Sequence, residues 1–263
     1  MHRSRRRLTP PDTNWDRVAT WYDGWVGDWG SRYHRLLTIP AVLNLLEARP
    51  GEEILDIGAG QGVLAPHIVA SGAGYTGIDA SSRLISAARR RHGRVARFAV
   101  GDARELQTVR GVHGGSYDAA VFLMSIQDMD PLDLVLASAA WALRSSGRIV
   151  MLMTHPAFRQ PRHSGWGFDE TRKLQYRRVD AYLTPMAVPM KSLGRNTPTR
   201  AFHRPISRYV NEMAAAGFAV DAMLELPDLS LEVRPRPSKR RSARDDAEIP
   251  LFLGLRAVRP HNG

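Results

Sequence analysis

The stretch Ile54-Leu-Asp-Ile-Gly-Ala-Gly-Gln-Gly62 begins as a short apolar run and ends with glycines at 58, 60 and 62. A run of this kind, followed by a glycine-rich turn and a helical pattern, reads as strand, tight turn and helix. Glycines at alternate positions let the backbone approach a ligand closely, with amide N–H groups exposed at the helix start. Asp79 follows 17 residues after Gly62, at the tip of the next strand-like run. A carboxylate there can accept both hydroxyls of a ribose. Working outward, Glu53–Ile57, Gly74–Ile78, Val95–Val100, Tyr117–Leu123 and Gly147–Met153 read as strands separated by amphipathic helical patterns. This alternation, from about Pro50 to Thr154, predicts βαβ units and a parallel sheet.

Several helix ends are readable. Ser81 or Ser82 caps a helix through Leu84, Ile85 and Ala88 that stops at Gly93. Asp130-Pro131 sets a capping carboxylate before a proline at the first helical position, opening a helix that runs from Leu134 to Leu143. Residues 14–48 read as two or three helices rich in aromatics: Trp15, Trp21, Tyr22, Trp25, Trp29 and Tyr33. Residues 155–205 are dense in Pro, Gly and Arg and show little periodicity, which suits a lid or binding segment. Ser207 then caps a helix over Arg208–Ala216 closed by Gly217, and Phe218–Leu224 and Ile249–Ala257 read as two last strands. The expected organisation is a basic tail (1–12), a helical cap (13–48), a core (49–154), a lid (155–205) and a C-terminal part (206–263) that completes the core and carries a basic loop (233–247).

The formal net charge of +11 is unevenly placed. Arg3, Arg5, Arg6 and Arg7 contribute +4, residues 233–246 another +4 and residues 155–205 +7, so the rest of the chain stands at −4. Basic runs in a tail and loops are weak grounds for a polyanionic partner when the core is acidic. With no cysteine, disulfides and cysteine-ligated zinc are excluded, and no metal site is expected. No apolar run approaches the roughly 18 residues needed to span a bilayer, and no apolar stretch follows the basic N-terminus as a secretory signal requires. A cytoplasmic chain, monomer or homodimer, is the expectation.

A dinucleotide site needs G-x-G-x-x-G with the helix terminus aimed at a pyrophosphate. This chain has Asp56-Ile-Gly-Ala-Gly-Gln-Gly62, with an acid two residues before the first glycine. That acid suits a ligand carrying an amine, and S-adenosylmethionine offers an ammonium, a sulfonium, a ribose and an adenine. The stretch LDIGAGQG resembles the first motif of class I S-adenosylmethionine-dependent methyltransferases, and Ile78–Ser81 (IDAS) resembles their second. Gly101-Asp102-Ala103 is similar to the motif that binds adenine. Leu143-Arg-Ser-Ser-Gly-Arg-Ile-Val150 is similar to their L-R-P-G-G turn, with Ser145 and Ser146 in place of Pro and Gly. Ala19-Thr-Trp-Tyr-Asp23 resembles the A-x-x-Y-D helix of the ubiquinone/menaquinone C-methylase-like branch, and Thr154-His-Pro-Ala-Phe158 a T-H-P-x-F signature of bacterial small-molecule enzymes.

The resemblance implies a Rossmann-like α/β fold with a mostly parallel seven-stranded sheet, an N-terminal helical cap and a lid inserted after strand 5. It implies S-adenosylmethionine as cofactor, with Asp56, Gly58, Ala59, Gly60 and Gln61 around the methionine portion. By the same resemblance Asp79 and Ala80 meet the ribose, Asp102 and Ala103 the adenine, and Leu123, Met124 and Tyr22 enclose the donor. Methyl transfer is an in-line displacement at an already activated carbon, so alignment and exclusion of water are the protein's main tasks. A base is needed only if the acceptor must lose a proton. His155, at the end of the fifth strand, is the candidate for that base, the alternative being an anchor for the lid. Tyr33, His34, Gln127 and Arg159 are candidates for the acceptor pocket. Arg162, Arg172, Arg177 and Arg178 could recognise an acidic group on the acceptor, and Tyr176 and Tyr182 could pack the lid on the core.

The expected partner is a small acceptor, anionic or aromatic in character, rather than a nucleic acid or a membrane. A nucleic-acid methyltransferase is disfavoured by the missing cysteine and by Met124-Ser-Ile-Gln-Asp128 where base-amine enzymes carry Asn- or Asp-Pro-Pro-Tyr. A 2′-O type RNA enzyme stays open, since basic segments can grip phosphates. A non-catalytic S-adenosylmethionine-binding regulator would be marked by a spoiled glycine motif, yet the motif is intact. The methylated atom, whether oxygen, nitrogen or carbon, is not legible.

Overall fold

In the computed structural model, which describes residues 15–190, 199–228 and 248–260, five strands lie parallel. They are β1 (Glu53–Ile57), β2 (Gly74–Asp79), β3 (Arg97–Val100), β4 (Tyr117–Leu123) and β5 (Leu143–Thr154). Two antiparallel hairpins follow, β6 (Ser164–Asp169) with β7 (Leu174–Val179) and β8 (Met186–Pro189) with β9 (Arg200–His203). The chain then returns to the main sheet as β10 (Ala219–Leu226) and β11 (Phe252–Val258). The seven-stranded order is β3-β2-β1-β4-β5-β11-β10, with β11 antiparallel to both neighbours.

Side-chain parity along the central strands builds two layers. Leu55, Phe122, Met151 and Met153 face one side and pack with α5 (Leu132–Ala142) and α6 (Ile206–Ala215). Ile54, Val121, Val150 and Leu152 face the other, against α2 (Ile39–Leu46), α3 (Ala65–Ala70) and α4 (Ser82–His92). Strands covered on both faces must be apolar almost throughout, and β4 is buried at six of its seven positions. The strand order reverses between β1 and β4, so their C-terminal ends part and leave a crevice. The N-terminal helix α1 (Trp15–Val26) docks on α4 beside that crevice. Asp16 accepts hydrogen bonds from the Ser81 and Ser82 hydroxyls and the Arg83 amide, while Arg91 pairs with Asp23 and Asp28.

Several expectations need correction. Residues 155–205 are not irregular: their described part is two hairpins, the first turned where the Asp169 carboxylate accepts the Thr171 and Arg172 amides. Asp130 does not cap α5. Pro131 holds the N-cap position in extended conformation, and the Asp130 carboxylate turns instead to Arg204 at 2.7 Å. Ser207 does not cap α6 either, because Pro205, with its fixed φ, stands at the N-cap and the helix starts at Ile206. β5 extends to Leu143, absorbing Arg144, Ser145 and Ser146 as an irregularity against β4. Tyr182 does anchor its segment, accepting the Ile206 amide on its hydroxyl, whereas Tyr176 is half exposed and crosses its own hairpin at Gly167. The basic tail 1–12 lies outside the described residues, as does the loop 233–247.

Candidate functional site

At the reversal point the turn after β1 is held open by its own backbone. Gly58 and Gly60 have φ of +80° and +56°, conformations costly for any residue with a Cβ. The Gly58 amide bonds back to the Ile78 carbonyl at 2.7 Å, and a Cβ at Gly58 would collide with Ser125. Ser125, in the loop after β4, donates its hydroxyl to the Ile57 carbonyl at 2.6 Å, so the β1 and β4 loops are locked together. Over this turn opens a cavity of about 720 Å³, within the usual size for small-molecule sites.

Of the residues expected at the cofactor, Asp56, Ala59 and Gln61 stay off the cavity wall; Tyr22, Tyr33, His34, Gly58, Gly60, Asp79, Ala80, Asp102, Ala103, Leu123, Met124, Gln127, His155 and Arg159 all line it. Asp56 sits behind the turn, accepting the Tyr75 hydroxyl at 2.6 Å on one oxygen while the other has no hydrogen-bond partner. Burial raises its pKa to about 7, and the nearby Asp79 adds to the effect. Gln61 reaches the Gly27 carbonyl at 3.5 Å, linking the turn to the cap. The Asp79 carboxylate accepts the Gly60 amide at 2.9 Å and the Ser81 amide at 2.8 Å, while burial pushes its pKa up. Asp102 is clasped by the guanidinium of Arg104. Tyr22 covers Gly60 from the cap, and burial raises its pKa further.

His155 is 1% exposed, and both ring nitrogens are committed. Nδ1 accepts the Ala157 amide at 3.2 Å, so a neutral ring carries its proton on Nε2, which meets Glu225 at 2.9 Å. Burial lowers its pKa, the Glu225 carboxylate opposing. Both nitrogens are thus engaged by the protein itself, the arrangement that the alternative reading of His155 as an anchor for the lid requires. At His34, Ser31 contributes its amide (3.3 Å) and hydroxyl (2.8 Å) to Nδ1, and burial lowers the pKa to about 4. Tyr33 donates to Asp228, and the Gln127 amide donates to the Met124 carbonyl.

Arg159 lines the cavity but holds the Pro250 and Ile249 carbonyls. Arg162, Arg172, Arg177 and Arg178 are not on the cavity wall. Arg172 and Arg178 pair with Asp169 and Asp180, and Arg177 lies over Trp166 and donates to the Phe158 carbonyl. Among the wall residues that sequence reasoning missed are Asp128, Gln160, Arg204 and Tyr209. Asp128, in the loop after β4, has its pKa pushed well up by burial and by Asp79. A signal for it was present, since any polar residue just past the end of β4 faces the crevice. Arg204 had none, because nothing local shows that a residue before Pro205 returns to the site.

The donor end of the cavity therefore gathers Asp79 and Asp128, with Asp56 behind the turn and one of its buried oxygens unpaired. That donor set fits a cationic ligand with an amine and a ribose, and a glycine cradle that a Cβ would fill fits close approach of its backbone.

The comparisons agree with this geometry. Residues 54–147 match the family described as a methyltransferase domain. The demethylmenaquinone methyltransferase of Beutenbergia cavernae is 28% identical over 152 residues, 58% of each chain, so this chain spans little more than half of that relative. The namesake from Tropheryma whipplei is 31% identical over 44% of this chain and 48% of its own. Among solved structures, an S-adenosylmethionine-dependent methyltransferase from Mesorhizobium loti superposes with a TM-score of 0.69 at 23% identity, covering 84% of this chain and 96% of that one. The Burkholderia thailandensis 1,6-didemethyltoxoflavin-N1-methyltransferase, solved with S-adenosylhomocysteine, gives 0.53 at 16% identity, covering 98% and 93%. The chain thus has the fold of S-adenosylmethionine-dependent methyltransferases, and its residues 54–147 match the methyltransferase-domain family.

Proposed function

We propose that this chain transfers a methyl group from S-adenosylmethionine to a small-molecule acceptor held between the cap (13–48) and the segment 155–205. One observation carries the reading: a single cavity runs from the Gly58–Gly60 turn and Asp79 past Met124 to Tyr33, His34 and the β8–β9 hairpin. Bound there, the cofactor supplies a methyl group on a positively charged sulfur, which needs no further activation. Gly58 and Gly60 admit its methionine portion, Asp79 takes the ribose hydroxyls, and Asp102 with Ala103 borders the adenine. Asp56 supports the turn from behind and supplies negative charge, while Tyr22 and Leu123 close the donor off from water. The chain's contribution to rate is then alignment and dryness, with His155 holding the lid to β10 rather than moving a proton. The small-molecule acceptors named for the relatives support this reading.

The test is transfer of labelled methyl from the donor to a panel of small molecules, with total RNA as a parallel acceptor. Label in a small molecule is expected. Label only in RNA would contradict the proposal, and so would no transfer to any acceptor by protein that binds S-adenosylhomocysteine.

A further inference from the structure

Beyond the donor end, the cavity wall changes character. Arg204 is 6% exposed, and its Nη2 donates to the Met129 carbonyl and the Asp130 carboxylate, both at 2.7 Å. Its Nη1 is buried with no hydrogen-bond partner. A buried guanidinium N–H without a partner is costly, and native proteins rarely keep one unless something fills the place. Asp130 does not fully answer the charge, because it is half exposed and screened by water whereas Arg204 is not.

Gln160, 3% exposed, lines the same cavity. His203 Nε2 stands 2.8 Å from the Tyr182 carbonyl and 3.0 Å from the Gln160 amide. The amide Nε2 stands toward the ring and Oε1 is buried without a partner; because the same ring nitrogen also meets the Tyr182 carbonyl as a donor, the hydrogen-bond pattern favours the flipped amide, with its oxygen at the ring N–H and its NH₂ as the unpaired end. Arg204 Nη1 and this end of Gln160 then belong to two buried residues that line one cavity. The nearby walls are aromatic, with Arg204 stacked 5.4 Å over Phe202 and within hydrogen-bonding reach of the Tyr209 hydroxyl.

We infer that the acceptor is an anionic aromatic small molecule whose carboxylate, or an equivalent oxyanion, is bound by Arg204 Nη1 together with Gln160. The acidic donor end and the basic acceptor end then sort a cationic cofactor from an anionic acceptor within one cavity. Gln127 complements the site with a buried amide oxygen that has no partner, able to accept from a hydroxyl or amine of the same acceptor. The inference rests on the methyltransferase reading for its word acceptor, but the anion site stands on its own residues.

The test pairs hydroxy- and aminobenzoates with their carboxamides and titrates each into the full chain, with and without saturating S-adenosylhomocysteine. Quenching of Trp15, Trp21 and Trp25, all on the cavity wall, reports binding. Carboxylates should bind about tenfold or more tighter than the matched amides, as a charge-assisted pair to a buried guanidinium requires. Arg204→Gln should bring the pair within about twofold, and Arg204→Lys should keep part of the preference, both with S-adenosylhomocysteine affinity unchanged. Equal binding of acids and amides by the unaltered chain, or no binding of either, would overturn the inference without needing any variant. A preference that survives Arg204→Gln would overturn the assignment to Arg204. S-adenosylhomocysteine failing to bind while the carboxylate preference persists would instead break the methyltransferase reading and leave the anion site intact.

Discussion

Asp56 shows how a cofactor site is prepared at the cost of the empty protein. Its carboxyl is held behind the glycine turn at a pKa of about 7, far above the 3.8 of an unburied aspartate. A raised folded-state pKa means that the folded chain holds the proton more tightly than the unfolded one. Asp56 therefore costs the ligand-free protein nothing below about pH 4, and the cost grows as pH rises to about 7. His34, lowered to about 4 from 6.5, acts oppositely, removing stability as pH falls through the same window. Asp56→Asn should accordingly leave stability nearly unchanged at pH 4 and raise it at pH 7.5, by on the order of a few kcal/mol. Denaturant melts at the two pH values check this, and an equal effect at both would refute it. His155 offers a second test at this scale, because its ring is held on both nitrogens by the protein. His155→Ala should lower the melting midpoint by several degrees, since a buried, doubly bonded ring is lost. S-adenosylhomocysteine affinity should stay within about twofold, and a drop of tenfold would place His155 at the donor instead.

At the scale of elements, what the sequence made legible is what local chemistry controls. Glu53–Ile57 and Tyr117–Leu123 were readable to the residue because strands buried on both faces are apolar at most positions and sit between turn-forming stretches. The Ser81 cap was readable because its hydroxyl answers the Leu84 amide within one turn. The hairpins were not, because charged residues on their exposed faces hide the alternation of Trp166 and Phe168 between glycines. Asp130 was misread because a distant arginine outbid the local amide it was expected to cap. Nor was the docking of α1 visible, since Asp16 and Asp23 find their partners across more than 60 residues. That docking yields a prediction. Arg91 ties both Asp23 and Asp28, and exposed ion pairs contribute roughly 0.2–1 kcal/mol each. Arg91→Ala should loosen the cap that carries Tyr22 and weaken S-adenosylhomocysteine binding about three- to tenfold, more at low salt than at high. An unchanged affinity in calorimetry would mean that the cap does not close over the cofactor.

For the molecule as a whole, the sheet order does most of the placing. Reversal between β1 and β4 opens the crevice, the glycine turn keeps it clear, and the cap and the β8–β9 hairpin roof it, so all of these elements line one chamber. The donor half follows from motifs that lie on consecutive strands, which is why it could be read in order along the chain. The rest of the cavity wall is assembled from the cap, the β4 loop and the residues before α6, more than 150 residues apart, and no local pattern announces it. Among the described residues, no helix is long and apolar enough to cross a membrane. The central claim is that this chamber binds S-adenosylmethionine, and calorimetric titration of the full chain with S-adenosylhomocysteine, with NAD as control, tests it most directly. One-site binding of S-adenosylhomocysteine with no heat from NAD is the predicted result; binding of NAD, or of neither ligand, would contradict the account.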